Sequence, residues 1–193
     1  MRFEWGLACF LVAALAAPAA AVAAPPPMDG VAAAIGYDVV PWSLLRAYRA
    51  AFWPDEEAAA ALAALIDERL LGAEARRYGL QPDTRALAEL AARHPSPDGF
   101  TEGEWREVLT DRALARQLLA FRFGDYVPIE REAILAYLAS HPQGPAVSPE
   151  AREAAARAAL LPEARARREA AFKAELRARA EVRLVAPGAP TPE

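Results

Sequence analysis

The sequence predicts a mainly α-helical domain that carries a small β-hairpin near its start and is completed by a C-terminal helix and a short strand. Three observations carry that expectation. Alanine dominates a composition that is 54% hydrophobic, and alanine favours helix while burying little area. Apolar residues recur at three- and four-residue spacing through most of the chain, with cap residues marking several segments. β-type runs occur in two places only: Val31–Ile35 with Val39-Val40, and residues 181–185.

Residues 1–24 read as an export signal. Arg2 precedes an apolar run over 6–17, and Ala21-Val22-Ala23 supplies the small residues for cleavage near Ala23 or Ala24. The apolar run is too short for a normal membrane-spanning helix, so no stable span is expected once the signal is cleaved. Cys9, the only cysteine, would leave with it, so neither a disulfide nor cysteine chemistry is expected in the mature chain. The 22 basic and 26 acidic residues give a net charge of -4, which lacks the positive balance of a nucleic-acid binder. All the basic residues except Lys173 are arginine.

The mature chain divides into a helical domain over 25–142, a linker over 143–149, a helix and strand over 150–185, and a Pro-rich, disordered tail over 186–193. The hairpin turns at Gly36-Tyr37-Asp38 and needs another strand or a helix to lie on, because two strands alone are marginal. Residues 182–185 are expected to pair beside Val31–Ile35. A short helix follows over 42–53, with Leu45, Tyr48 and Phe52 on one side, Pro41 where a Ser or Thr cap would be expected, and Pro54 as its stop.

The longest amphipathic segment is 54–80. Asp55 is the expected N-cap, with Glu56 and Glu57 in the first turn. Gly79 and Leu80 form the expected C-cap, and Leu62, Leu65, Ile66, Leu70 and Ala73 form the apolar stripe. Residues 83–93 read as another helix with Leu87 and Leu90 inward, and 94–99 as a loop. Thr101 and Glu104 make a capping box, with Phe100 and Trp105 at the staple positions. That helix continues through Leu118 and Leu119 to Gly124. Residues 127–142 hold a helix bearing Ile134, Tyr137 and Leu138. Ser148 and Pro149 then start an alanine-rich helix that Pro162 kinks or restarts.

No chemistry-bearing constellation emerges. The sequence contains no G-x-S-x-G elbow, P-loop or dinucleotide fingerprint. His94 and His141 each precede proline in different loops and make a poor catalytic or metal pair. No catalytic residue, metal site or cofactor is expected. The candidate peptide-binding residues are the aromatics Trp42, Phe52, Trp53, Trp105, Phe121, Phe123 and Tyr126, which offer sequence-tolerant contacts and could equally be core.

Three segments in order resemble the SurA-type periplasmic chaperones. Leu65, Ile66, Asp67, Leu70, Leu71, Ala75, Gly79 and Leu80 match the central helix of that family. Ile129, Glu132, Ile134, Ala136, Tyr137, His141 and Pro142 match a later segment, and Arg167, Arg168, Ala171, Phe172, Leu176, Arg177, Arg179, Val182 and Val185 match its C-terminal helix and strand. The resemblance implies a SurA N-terminal-like or trigger-factor-like helical domain onto which the C-terminal helix and strand pack back. In relatives with the full architecture a parvulin-type prolyl isomerase domain follows the His-Pro pair. Here a Gly-Pro linker stands in its place. The resemblance therefore implies an exported, ATP-independent, non-enzymatic protein whose partners are unfolded or partly folded envelope proteins. The alternatives are a structural adaptor holding one dedicated partner and, more weakly, a prolyl isomerase.

Overall fold

The computed structural model describes residues 29–124, 127–142 and 148–185. The expected export signal, Tyr126, most of the linker and the tail lie outside them. In chain order the elements are β1 (Val31–Ile35), β2 (Asp38–Pro41), α1 (Trp42–Phe52), α2 (Ala58–Arg77), α3 (Thr84–Arg93), α4 (Glu102–Phe123), α5 (Arg131–Ser140), α6 (Pro149–Arg179) and β3 (Val182–Leu184). The fold is therefore mainly helical with one small sheet. Its strand order is β2-β1-β3, with both pairings antiparallel. The two isolated β-runs of the sequence thus meet, with Ala33 opposite Leu184, Ala34 opposite Arg183 and Ile35 opposite Val182. Val185 N–H donates to the Ala32 carbonyl at 3.0 Å and Gly36 N–H to that of Glu181 at 2.9 Å, extending the ladder at both ends.

Local chemistry explains where the helices start and stop. Pro41 supplies no side-chain cap to α1. Asp29 replaces it from outside the helix, accepting from Ser43 N–H at 3.0 Å and from the Ser43 hydroxyl. The expected Asp55 cap of α2 is not used. Glu56 N–H closes a turn on the Trp53 carbonyl at 3.2 Å, and Arg49 Nε holds the Glu56 carbonyl at 2.6 Å. Those bonds hold residues 54–57 in the turn, and α2 begins at Ala58 behind Glu57, which makes no side-chain cap. Its far end is a Schellman motif: Gly79, at φ +74, donates to the Arg76 carbonyl at 2.9 Å and Leu80 to that of Ala75 at 3.0 Å. The capping box of α4 is complete. Ser148 caps α6 through Ala151 N–H at 3.2 Å, and the helix runs unbroken through Pro162.

Packing follows from the stripe on α2, with differences from the sequence pattern. Ala73 is exposed, while Ala61, Leu71, Gly72, Glu74 and Ala75 are buried with Leu65 and Ile66. The stripe is broader because α2 is covered on two sides. Toward α1, β1, β2 and α4 lies a core of Ala33, Val40, Tyr48, Leu65, Ile66 and Trp105. Toward α4 and α6 lies a second core containing Leu71, Ala75, Leu114, Leu118, Phe123 and Phe172. Ion pairs dock α6 along α2: Arg177 Nε meets Asp67 Oδ1 at 2.6 Å and its Nη2 donates to the Ala63 carbonyl at 3.1 Å, while Arg179 lies 3.8 Å from Glu74. The α5 helix packs against α6 through a buried Ile134.

Helices α2 and α4 meet at Gly72. A Cβ there would sit 2.7 Å from Asp111 Oδ1 and 3.1 Å from its Cα. Gly72→Ala is expected to lower stability in urea unfolding by about 1–3 kcal/mol, because the backbone of α4 must retreat. Ending the chain at Ala180 removes β3 and should lower the Tm of the whole domain; an unchanged Tm would show that the sheet is dispensable.

Candidate functional site

The predicted aromatic residues do not form one surface. Phe52 is half-buried between three planar groups: the Arg112 guanidinium 4.1 Å from its centroid, the His94 ring at 4.4 Å and the Trp105 ring stacked at 6.0 Å. Trp105 is buried and donates Nε1–H to the His94 carbonyl at 2.8 Å. Trp53, half-buried, donates Nε1–H to the Tyr48 hydroxyl at 3.3 Å. Phe123 is buried edge-on against Phe172, with ring centroids 6.0 Å apart. These four side chains are therefore wholly or partly committed to packing. Trp42 is half-buried beside Arg46 and Ala50 in a groove between α1 and the start of α2, and Phe121 stands 69% exposed on α4. Tyr126 lies outside the described residues.

Charged groups are buried beneath the aromatics. Arg112 of α4 pairs with Glu68 of α2 and donates to the Tyr48 hydroxyl of α1 at 3.2 Å. One residue earlier, Asp111 accepts from Arg76 at 2.6 Å. Burial pushes the Glu68 and Asp111 carboxyls above their ordinary range, opposed by Arg112 and Arg76 respectively. Burial, followed by Arg112, pushes His94 below its ordinary range. Arg112, Glu68, Asp111 and Tyr48 tie three helices together, and Arg76 reaches Asp111 from a side chain that is 46% exposed.

A different surface combines an open backbone edge with an apolar floor. Beside β3, between α2 and the end of α6, lies a trough of about 320 Å³ whose apolar lining includes Ala59, Leu62, Ile66, Val182 and Leu184. Its charged lining residue, Arg177, is already bonded to Asp67 and the Ala63 carbonyl. The hydrogen-bonding register points Arg183 N–H and C=O toward β1, which turns the backbone groups of Val182 and Leu184 outward. Val182 N–H is held by the Ala180 carbonyl at 2.9 Å. The Leu184 N–H and C=O and the Val182 C=O thus form an edge that no strand among the described residues pairs. The opposite edge, β2, ends in Pro41, which has no N–H to offer.

Sequence reasoning assigned Leu62 and Ile66 to a core stripe and Val182 to a strand, without bringing them together. The signal was present in two pieces, an apolar α2 face and a strand carrying Leu184 that is short enough to lie at an edge. Only the pairing of β3 with β1 unites them. Among the described residues, no helix is long and apolar enough to cross a membrane, and no group of three or more His, Cys, Asp or Glu residues is placed to hold a metal ion. Compared with known proteins, the chain matches no family model and no curated protein sequence.

The raised pKa of Glu68 has a measurable consequence. A carboxyl that keeps its proton to higher pH when folded contributes stability that is complete below the unfolded value, near 4.5, and lost as pH rises through the folded one. Urea unfolding at intervals from pH 4 to pH 7 should show wild type losing stability relative to Glu68→Gln. Parallel curves would mean that Glu68 ionises alike in both states.

Proposed function

We propose that this is an exported, ATP-independent, chaperone-like protein that holds unfolded or extended segments of envelope proteins. The observation that carries the reading is the edge of β3, which no strand among the described residues pairs, beside the apolar trough. An added strand is bound through its main chain, which every sequence shares, and through alternate apolar side chains that fall into the trough. That combination is tolerant of sequence, as a holdase requires. Trp42 and Phe121 offer further apolar contact away from the trough. The resemblance of the α2, α5 and α6–β3 segments to SurA-type chaperones supports the same class, and no nucleotide-binding motif accompanies them.

A second reading, a structural adaptor for one dedicated partner, is favoured by Leu135, which stands 55% exposed on α5. The two readings part on specificity. A holdase suppresses aggregation of several unrelated denatured proteins, whereas an adaptor binds one partner stoichiometrically and suppresses none.

Leu184→Pro tests the site itself. It deletes an outward N–H and replaces the leucine side chain with a shorter ring while leaving the Arg183 bonds to β1 in place. Suppression of aggregation of a denatured outer-membrane protein should fall several-fold in this variant with little change in Tm. Full activity in the variant would remove the β3 edge from the mechanism.

A further inference from the structure

Resting on the strand-addition reading above, we infer that the β3 edge selects extended protein segments in which an acidic residue lies between two apolar ones. Directly opposed residues of an antiparallel pair share a face of the sheet. Val182 and Leu184 lie opposite Ile35 and Ala33, which pack on or in the core, so the side chains of both strand residues are on the trough side. Arg183 lies opposite Ala34, which in turn lies opposite Val39, 55% exposed, so this row faces solvent. A segment added antiparallel to β3 therefore presents apolar side chains to the trough opposite Val182 and Leu184, and the residue between them faces outward beside Arg183.

Charge and backbone geometry select that middle residue. The Arg183 side chain is 80% exposed, and its one carboxylate contact among the described residues is Glu181 at a long 3.8 Å. Arg177, the arginine that lines the trough, is committed to Asp67 and the Ala63 carbonyl, and Arg179 lies 3.8 Å from both Glu74 and Glu175. Because Arg183 spends its backbone bonds on β1, it would face the incoming residue as a non-hydrogen-bonded pair, the type in which side chains approach more closely. An Asp or Glu there gains a cross-strand ion pair, while a Lys or Arg meets a like charge. The trough, whose one charged lining residue among the described residues is already paired, disfavours polar residues at the flanking positions.

The test uses three fluorescent peptides that share one soluble host and an alternating Val frame, with Asp, Asn or Lys at the centre. Their affinities are measured on the wild-type protein, Arg183→Gln and Arg183→Glu at low salt. On wild type the Asp peptide should bind about two- to fivefold more tightly than the Lys peptide. Arg183→Gln should erase the difference and Arg183→Glu should reverse it, with Tm within a few degrees of wild type because the side chain is exposed. Equal affinities on wild type, or an order unchanged in Arg183→Glu, would overturn the charge selection while leaving strand addition standing. Failure of all three peptides to bind wild type would overturn strand addition itself.

Discussion

The approach of α2 to α4 at Gly72 is the constraint on which the rest of the helical packing depends. With no side chain at that position, the backbone of α4 comes close enough for Asp111 to be buried against α2. A buried carboxylate needs a partner, which Arg76 supplies. The next residue of α4, Arg112, is then also buried, and its position between Glu68, Tyr48 and Phe52 draws α1 onto the same joint. Breaking such a buried pair by removing one partner typically costs about 3–5 kcal/mol, because the other charge is left uncompensated. The joint thus fixes the relative placement of three helices more narrowly than apolar contact alone would.

Features written in a few neighbouring residues were legible in the sequence. The Thr101–Glu104 box, the Gly79 C-cap and the Ser148-Pro149 start depend on short-range hydrogen bonds that residue type dictates, and the turn at Gly36 on a positive φ that glycine adopts freely. Even the pairing of β1 with β3 followed from the instability of an isolated hairpin. What failed locally did so because a distant group intervened. Asp29 caps α1 from beyond its N-terminal end, and Arg49 pulls Glu56 away from the start that Asp55 advertised. The broad buried face of α2, with Ala73 exposed and Glu74 inward, reflects coverage by both α4 and α6, which no single helical period encodes.

The candidate site was less legible for a related reason. An aromatic residue at helical spacing has the same pattern whether it meets a neighbour or water, so Trp105 and Phe121 look alike in sequence although one is buried and the other exposed. The trough is defined by the space between α2 and β3, two elements far apart in the chain. The groups along its rim are partly main-chain atoms, which carry no residue identity. The side chains that do carry information, Leu184 and Arg183, acquire their meaning only once the strand register is known.

The closure of the sheet by β3 also governs when such a surface exists. The contacts of α2 with α4 span a few dozen residues, but those of β1 with β3 join the two ends of the described chain, so their loop-closure entropy must be met before any ladder bond rewards it. Strand β3 and its edge therefore carry a larger closure cost than the α2–α4 joint. A copy in which β3 has not paired with β1 lacks that edge. The edge and the trough beside it are thereby coupled to completion of the protein's own fold.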